Sequence, residues 1–160
     1  MAARSSFNIE IVQRDGVDHV SLAGVIDENA DLALLGTLGS RPIRVNLRGV
    51  RRINSFGVRA WMDVIRKIPR DTALTFVQCP SPVVDQCNMV TGFLGHGTLE
   101  SFYAPMACSE CDEQVDQLFE TATCRANGGK LPETPCPRCS RPMEVDDLEE
   151  QYLLFVRESR

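Results

Sequence analysis

The chain lacks long apolar runs and an excess of positive charge. None of its apolar stretches approaches the ~20 residues that a membrane-spanning helix needs, and its first residues, MAARSS, show no apolar segment typical of a secretory signal. Its 17 Lys and Arg residues are outnumbered by 22 Asp and Glu residues, and a pI near 5.1 argues against a general nucleic-acid binder. We therefore expect a cytoplasmic protein with no membrane insertion, for which nucleic acid is not the expected partner.

Features typical of enzymes are also scarce. The sequence has 2 histidines, His19 and His96, and neither of them neighbours a recognisable nucleophile motif. It has no glycine-rich loop of the form that binds phosphates. We therefore expect that the protein is not an enzyme.

The composition supports a folded core and suggests two parts. Hydrophobic residues make up 43% of the 160-residue chain, which excludes wholesale disorder, and this length suits one domain with an appendage. Residues 1–105 hold 11 basic and 10 acidic side chains, whereas residues 106–160 hold 6 and 12. We place a boundary near Pro105, between a domain at 1–105 and a smaller segment at 106–160.

Apolar spacing in the first part alternates between the period of strands and that of helices. The pattern predicts strands at 7–11, 20–26, 43–47, 74–79 and 98–103, and helices at 27–38, 55–68 and 81–90. Two strands followed by strand and helix in alternation indicate an α/β fold, in which helices cover a sheet. The expected core of this part includes Val20, Leu22, Val45, Leu47, Trp61 and Ile65.

Three segments of the first part stand in an order that suggests a family. They are VSLAGVID at 20–27, IRVNLRGV at 43–50 and INSFGV at 53–58. They resemble the corresponding segments of STAS domains, a family named for sulphate transporters and anti-sigma factor antagonists, and the resemblance covers about residues 7–104. It implies a mixed sheet covered by helices. It also implies a regulatory module that contacts a protein partner, such as an anti-sigma factor, a kinase-like protein or a scaffold, and that can oligomerise.

By this resemblance, Ser55 lies where anti-sigma factor antagonists carry a phosphorylated serine. A helix start favours such an anion because its backbone N–H groups are unpaired. The implied phosphorylation and partner-binding site consists of Asn54, Ser55, Gly57, Arg51, Arg52 and Arg59. The alternative is that Ser55 is simply the N-cap of a helix and that the arginines are a solvated surface. Asn46 and Asn54 replace two aspartates of the family pattern.

Four of the 7 cysteines form two Cys-x-x-Cys pairs, Cys108 with Cys111 and Cys136 with Cys139. This arrangement resembles a zinc ribbon, because two thiolate pairs complete the tetrahedral coordination that zinc prefers. With four protein ligands the ion would be structural. Alternatives are an iron–sulfur cluster and a redox pair. Cys79 and Cys87 are expected in the core, and Cys124 is expected as a spare small apolar residue or an exposed thiol.

The rest of the second part carries three further expectations. The 24 residues between the pairs contain a predicted helix around 115–119 and a turn at 127–129. Residues 152–156 are apolar enough for a buried strand that joins the ribbon or the main sheet. As an alternative function, the ribbon would serve an assembly or nucleic-acid adaptor, although its acidic composition opposes binding to phosphates.

Overall fold

The computed structural model describes residues 6–158, in which strands dominate. The strands are β1 (Asn8–Arg14), β2 (Val17–Ile26), β3 (Ile43–Ile53), β4 (Leu74–Val77), β5 (Thr98–Leu99), β6 (Ser101–Ala107), β7 (Gln114–Glu120) and β8 (Glu144–Val145). The helices are α1 (Ser55–Ile65), α2 (Ser81–Met89), α3 (Thr121–Ala126), α4 (Glu149–Tyr152) and α5 (Leu154–Glu158), and Leu35–Thr37 form a short 3-10 helix.

The first sheet has the strand order β1-β2-β3-β4-β5. β1 and β2 are antiparallel and are joined by a tight turn in which Asp15 and Gly16 both have positive φ, 53° and 74°. β2, β3, β4 and β5 are mutually parallel, with α1 and α2 in the crossovers between them. The prediction of an α/β fold with a mixed sheet and helices is confirmed.

One face of this sheet carries the core, and α1 and α2 pack on it. The six predicted core residues are all buried. Trp61 of α1 lies 5.7 Å from Phe93 and 5.9 Å from Phe76 between ring centroids, and its Nε1–H donates to the Phe93 carbonyl at 2.8 Å. The indole therefore buries its apolar surface without leaving its polar atom unpaired.

β3 is longer than predicted, and two irregularities change which of its residues face the core. Ile43, Val45 and Leu47 are buried in ordinary alternation, but the next buried residues are Val50 and Ile53. The pairing of β3 with β2 shifts register twice in this region. Each extra residue on the bulged strand restores an apolar side chain to the core and turns arginines outward.

The chain leaves the first sheet at Glu100, so the predicted strand 98–103 is divided between β5 and β6. β6 is the central strand of a second sheet of order β7-β6-β8. A parallel bridge between Cys79 and Phe102 connects the two sheets. Pro105 lies within β6, opposite Asp116 of β7.

The predicted helix at 27–38 is wrong. Asp27 and Asp31 each use a side-chain oxygen to accept the N–H of the residue two positions later, and such local turns compete with helix formation. Leu32 and Leu35 are buried but Leu34 is 55% exposed, so the three leucines do not share one face.

The predicted helix around 115–119 is also wrong, because this segment is strand β7. Its residues pair antiparallel with β6, including Phe119 with Phe102 and Val115 with Met106. The helical spacing of its apolar residues is overridden by a long-range pairing. The turn predicted at 127–129 agrees with the positive φ of Gly128 and Gly129.

The predicted strand at 152–156 is helical instead. Tyr152, Leu153, Phe155 and Val156 are buried while Leu154 is 36% exposed, which is the spacing of one helix face. Asn88 of α2 binds the junction of α4 and α5, donating to the Tyr152 carbonyl at 2.9 Å and accepting from the Phe155 N–H at 3.0 Å. The C-terminal helices therefore pack on α2, and neither predicted strand pairing occurs.

Across residues 6–158, none of the helices has the length and apolar character needed to span a bilayer.

Candidate functional site

The two Cys-x-x-Cys pairs lie in loops of the same geometry. The N–H of Cys108 donates to the carbonyl of Glu113, and the N–H of Asp112 donates to that of Cys108. Cys136 repeats both bonds at the same spacing, with Arg141 and Ser140. Asp112 and Ser140 have φ of 59° and 64°, a left-handed conformation that most residues avoid. The repetition indicates that each loop is built to present two sulfurs.

The four sulfurs converge. Sγ of Cys108 lies 3.4 Å from Sγ of Cys139, and Sγ of Cys111 lies 3.6 Å from Sγ of Cys136. All four lie within 4.8 Å of one another. Sulfurs at the corners of a tetrahedron around zinc are about 3.8 Å apart, given Zn–S bonds of about 2.3 Å. The donor set and its spacing therefore fit a tetrahedral metal ion.

Hydrogen bonds within the cluster affect its thiols differently, and desolvation together with bonds from the other three cysteines raises the pKa of Cys111 to about 12. The N–H of Cys111 bonds to the Cys108 sulfur and lowers the pKa of this thiol to about 7. The N–H of Arg138 donates to Sγ of Cys136 at 3.4 Å. Cys108 and Cys136, the first cysteine of each pair, are buried, and Cys139 is exposed. The cluster therefore lies at the surface, with these two first cysteines on its buried side.

The other three cysteines lie away from this cluster. Cys79 and Cys124 are buried and Cys87 is half-buried. Burial raises the pKa of Cys87 to about 12 and that of Cys124 to about 11. All three are therefore protonated at neutral pH. The predicted core positions of Cys79 and Cys87 agree with this burial, and Cys124 is a small apolar residue rather than an exposed thiol.

The second predicted site lies at the start of α1, and here the cap is Asn54. Its side-chain oxygen accepts the Gly57 N–H at 2.8 Å, and its Nδ2 donates to Glu28 at 3.0 Å. The bond from Asn54 lowers the pKa of Glu28. Ser55 is the first residue of the helix, so the interpretation of Ser55 as the N-cap is wrong.

Gly57 lets this helix start lie directly against the end of β2. A Cβ at this position would lie 2.0 Å from the Ile26 carbonyl oxygen, which no side chain can do. The N–H of Asn54 also donates to that carbonyl, at 3.2 Å. The start of α1 is thus held against the end of β2 by the close approach of Gly57 and by the Asn54 hydrogen bond.

Ser55 is exposed at this rigid position, and Phe56 beside it is 64% exposed. Arg51, Arg52 and Arg59 are exposed as well. Within residues 6–158, none of these three arginines takes part in an ion pair. Among these residues, no hydrogen bond joins any of the three arginines to Ser55. Arg48 lies apart, with its guanidinium 5.5 Å from the ring centroid of Tyr103.

Sequence reasoning missed several parts of both sites. It did not predict the bond between Glu28 and Asn54, which joins residues 26 positions apart. It also missed the left-handed residues after Cys111 and Cys139, because neither is a glycine. The Asn-x-x-Gly spacing at 54–57 was a usable signal for the cap, since asparagine is a favoured N-cap residue.

Fold and site together define a mixed α/β protein with a four-cysteine cluster that could hold a metal ion. No protein-family model matches the chain, and no curated protein matches it. Among solved structures, a similar chain is the crystal structure of an anti-sigma factor antagonist from Mycobacterium paratuberculosis. The two chains share 25% sequence identity with a TM-score of 0.48, over 62% of this chain and 89% of that one.

Proposed function

We propose that this protein is a non-enzymatic regulatory module that binds a protein partner through the surface around Ser55, and that phosphorylation of Ser55 switches this binding. The observation that carries the proposal is the exposed position of Ser55 as the first residue of α1, with the capping role taken by Asn54. The resemblance of residues 20–58 to STAS domains supports the same interpretation. Anti-sigma factors, kinase-like regulators and scaffolds are the partner types to which that resemblance extends, and the cytoplasm is the proposed location.

The helix start has the physical properties that a phosphate switch needs. Asn54 pairs the Gly57 N–H, whereas the Ser55 and Phe56 N–H groups have no hydrogen-bond partner within residues 6–158. Unpaired amides at a helix N-terminus stabilise an anion there. A phosphate would add about two negative charges at the exposed start of α1, and would change the surface that a partner meets.

We further propose that the four-cysteine cluster binds one structural zinc ion, held by Cys108, Cys111, Cys136 and Cys139. The ion would supply four bonds that fix the two cysteine loops to each other. Four protein thiolates leave no open coordination position, so zinc here would not be catalytic.

The proposed switch is tested by partner binding with matched acidic substitutions. Tagged wild-type protein and the Ser55→Asp variant are used to capture partners from the native cell, and affinity for the captured protein is then measured. We expect Ser55→Asp to change this affinity by at least tenfold and to leave the unfolding midpoint nearly unchanged. Ser40→Asp is the control, because Ser40 is exposed in the loop before β3 and not at the start of α1.

Mass spectrometry of the protein from its native cell tests the modification itself, with a phosphate on the peptide containing Ser55 as the expected result. Equal affinity of wild type, Ser55→Asp and Ser40→Asp for the partner would contradict the switch. Loss of binding in both acidic variants would show a general charge effect and would also contradict it.

A further inference from the structure

The face of the first sheet opposite the core is polar, and its side chains are placed in rows by the strand register. His19 of β2 pairs with Arg44 of β3, and Arg44 pairs with Thr75 of β4. The next row on this face contains Ser21, Asn46 and Val77. Because neighbouring strands are about 4.8 Å apart, His19 and Arg44 lie side by side.

This face forms one side of a cleft with a volume of about 370 Å³. The other side comes from the point where the chain passes into the second sheet, with Glu100, Leu118 and Glu120. A cavity of this size suits a small molecule, since ligand sites start at roughly 300 Å³. The α1 and α2 helices lie on the opposite face and do not cover it.

Charge is distributed unevenly inside the cleft. Arg14, His19 and Arg44 come from β1, β2 and β3, whereas Glu100 lies between the two sheets and Glu120 ends β7. Arg44 forms an ion pair with Glu100, with 41% and 43% of the two side chains exposed. Within residues 6–158, the side chains of Arg14 and His19 have no hydrogen-bond or ion-pair partner. The cleft thus has a cationic end and an acidic end, which meet at the Arg44–Glu100 ion pair.

Gln78, which lies in the wall of the cleft, has an uncommon backbone conformation. Gln78 follows β4 with a φ of 52°, and a non-glycine residue in this region is strained and concentrates at functional sites. Its N–H donates to the Ser101 hydroxyl at 2.8 Å, and Ser101 is itself buried. Gln78 also lines the cleft.

We propose that this cleft binds a small organic phosphate that also carries hydroxyl or amino groups. The phosphate lies against Arg14, His19 and the free edge of the Arg44 guanidinium, since arginine recognises phosphate through several N–H groups at once. The hydroxyl or amino groups donate to Glu120 and to the exposed part of Glu100. The site is separate from Ser55 and does not depend on its modification.

The two histidines provide a built-in reporter and control. His19 lies in the cleft, whereas Nε2 of His96 bonds to the Thr72 carbonyl at 2.9 Å, outside it. In carbon–proton NMR spectra of the whole protein at neutral pH, titration with inorganic phosphate should shift the His19 ring signals to saturation. The His96 signals should stay in place. Glycerol 3-phosphate should saturate His19 at a concentration at least threefold lower, because its hydroxyls reach the acidic end.

Substitutions then separate specific binding from a general salt effect. Arg14→Gln and Arg44→Gln should each weaken phosphate binding at His19 at least fivefold, whereas Arg66→Gln, at the C-cap of α1 on the opposite face, should not. Arg44 is half-exposed, so the Arg44→Gln variant should fold. If Arg44→Gln does not fold, the result for Arg14→Gln alone decides the test.

Equal shifts of His19 and His96, or wild-type binding by Arg14→Gln, would overturn the proposal. Saturation by glycerol 3-phosphate at the same concentration as inorganic phosphate would overturn the role of the acidic end.

Discussion

Asn54 connects three structural elements through its side chain and its backbone N–H. It caps α1 through Gly57, binds Glu28 in the loop after β2, and its own N–H donates to Ile26. Ser55 makes none of these contacts. Stability and the proposed signalling role are therefore assigned to different, adjacent residues, and substitutions can separate them.

We predict that Asn54→Ala lowers the free energy of unfolding by about 1 kcal/mol, the usual effect of losing an N-cap. Ser55→Ala should change it by less than about 0.5 kcal/mol, as expected for an exposed residue. Urea unfolding followed by fluorescence of Trp61, which lies in α1, measures both. A larger loss for Ser55→Ala than for Asn54→Ala would show that the cap is assigned to the wrong residue.

At the scale of elements, the C-terminal helices depend on α2. Asn88 pairs the carbonyl of Tyr152 and the N–H of Phe155 at the junction of α4 and α5. The Tyr152 hydroxyl in turn donates to the carbonyl of Tyr103 in β6. The Asn88 side chain thus makes two hydrogen bonds that fix α4 and α5 against α2, one of the helices that pack on the first sheet.

We predict that Asn88→Ala costs about 1–3 kcal/mol, because it leaves two partly buried backbone groups without partners. Met89→Ala is the matched control, since the adjacent Met89 side chain is 69% exposed. Limited proteolysis should cut Asn88→Ala within 149–158 faster than wild type or Met89→Ala. Unchanged cleavage at that segment would show that α4 and α5 are held by other contacts.

The sequence was most informative where apolar spacing is local. It predicted β1, β2, α1, α2 and the six core residues, because each strand or helix buries one face against the first sheet. It failed at β7, whose apolar side chains follow helical spacing but pair with β6. It also failed at 152–156, where a short apolar run does not distinguish strand from helix.

The candidate sites also differ in how far the sequence predicts them. The convergence of four cysteines follows from two short motifs, and the structure brings all four sulfurs together. The cleft on the open sheet face could not be predicted, because it joins residues from β1, β2 and β3 to residues after 100. Only the strand register and the change of sheet at Glu100 place them together.

At the scale of the whole molecule, we predict one zinc ion per chain. Elemental analysis of protein purified without chelators should give about one equivalent, because the four sulfurs form a complete ligand set. Cys111→Ser removes one ligand and should lower the content well below half an equivalent. Cys87→Ser, in α2, should leave it unchanged. Iron in place of zinc, or no metal, would contradict this assignment.

Removing the metal should loosen the two cysteine loops without unfolding the first sheet. Thiolate sites of this kind take much of their folding free energy from the ion, whereas Trp61 is buried against Phe76 and Phe93. With a strong chelator and mild reductant, we expect new proteolytic cuts at 108–113 and 136–141. Trp61 emission should stay close to that of the untreated protein. A full shift to the emission of denatured protein would show that the metal site and the first sheet unfold together.

The position of Phe102 limits how this protein can be studied in pieces. Its ring is fully buried and lies 5.9 Å from Phe119, 6.5 Å from Tyr152 and 5.0 Å from Phe155 between centroids. A fragment ending at Pro105 would keep Phe102 but lose all three rings, and the edge of β6 that pairs with β7 would be open. Exposed apolar surface beside open strand edges promotes aggregation. Expression of such a fragment should therefore give insoluble material, and partner screens aimed at Ser55 require the full chain as bait.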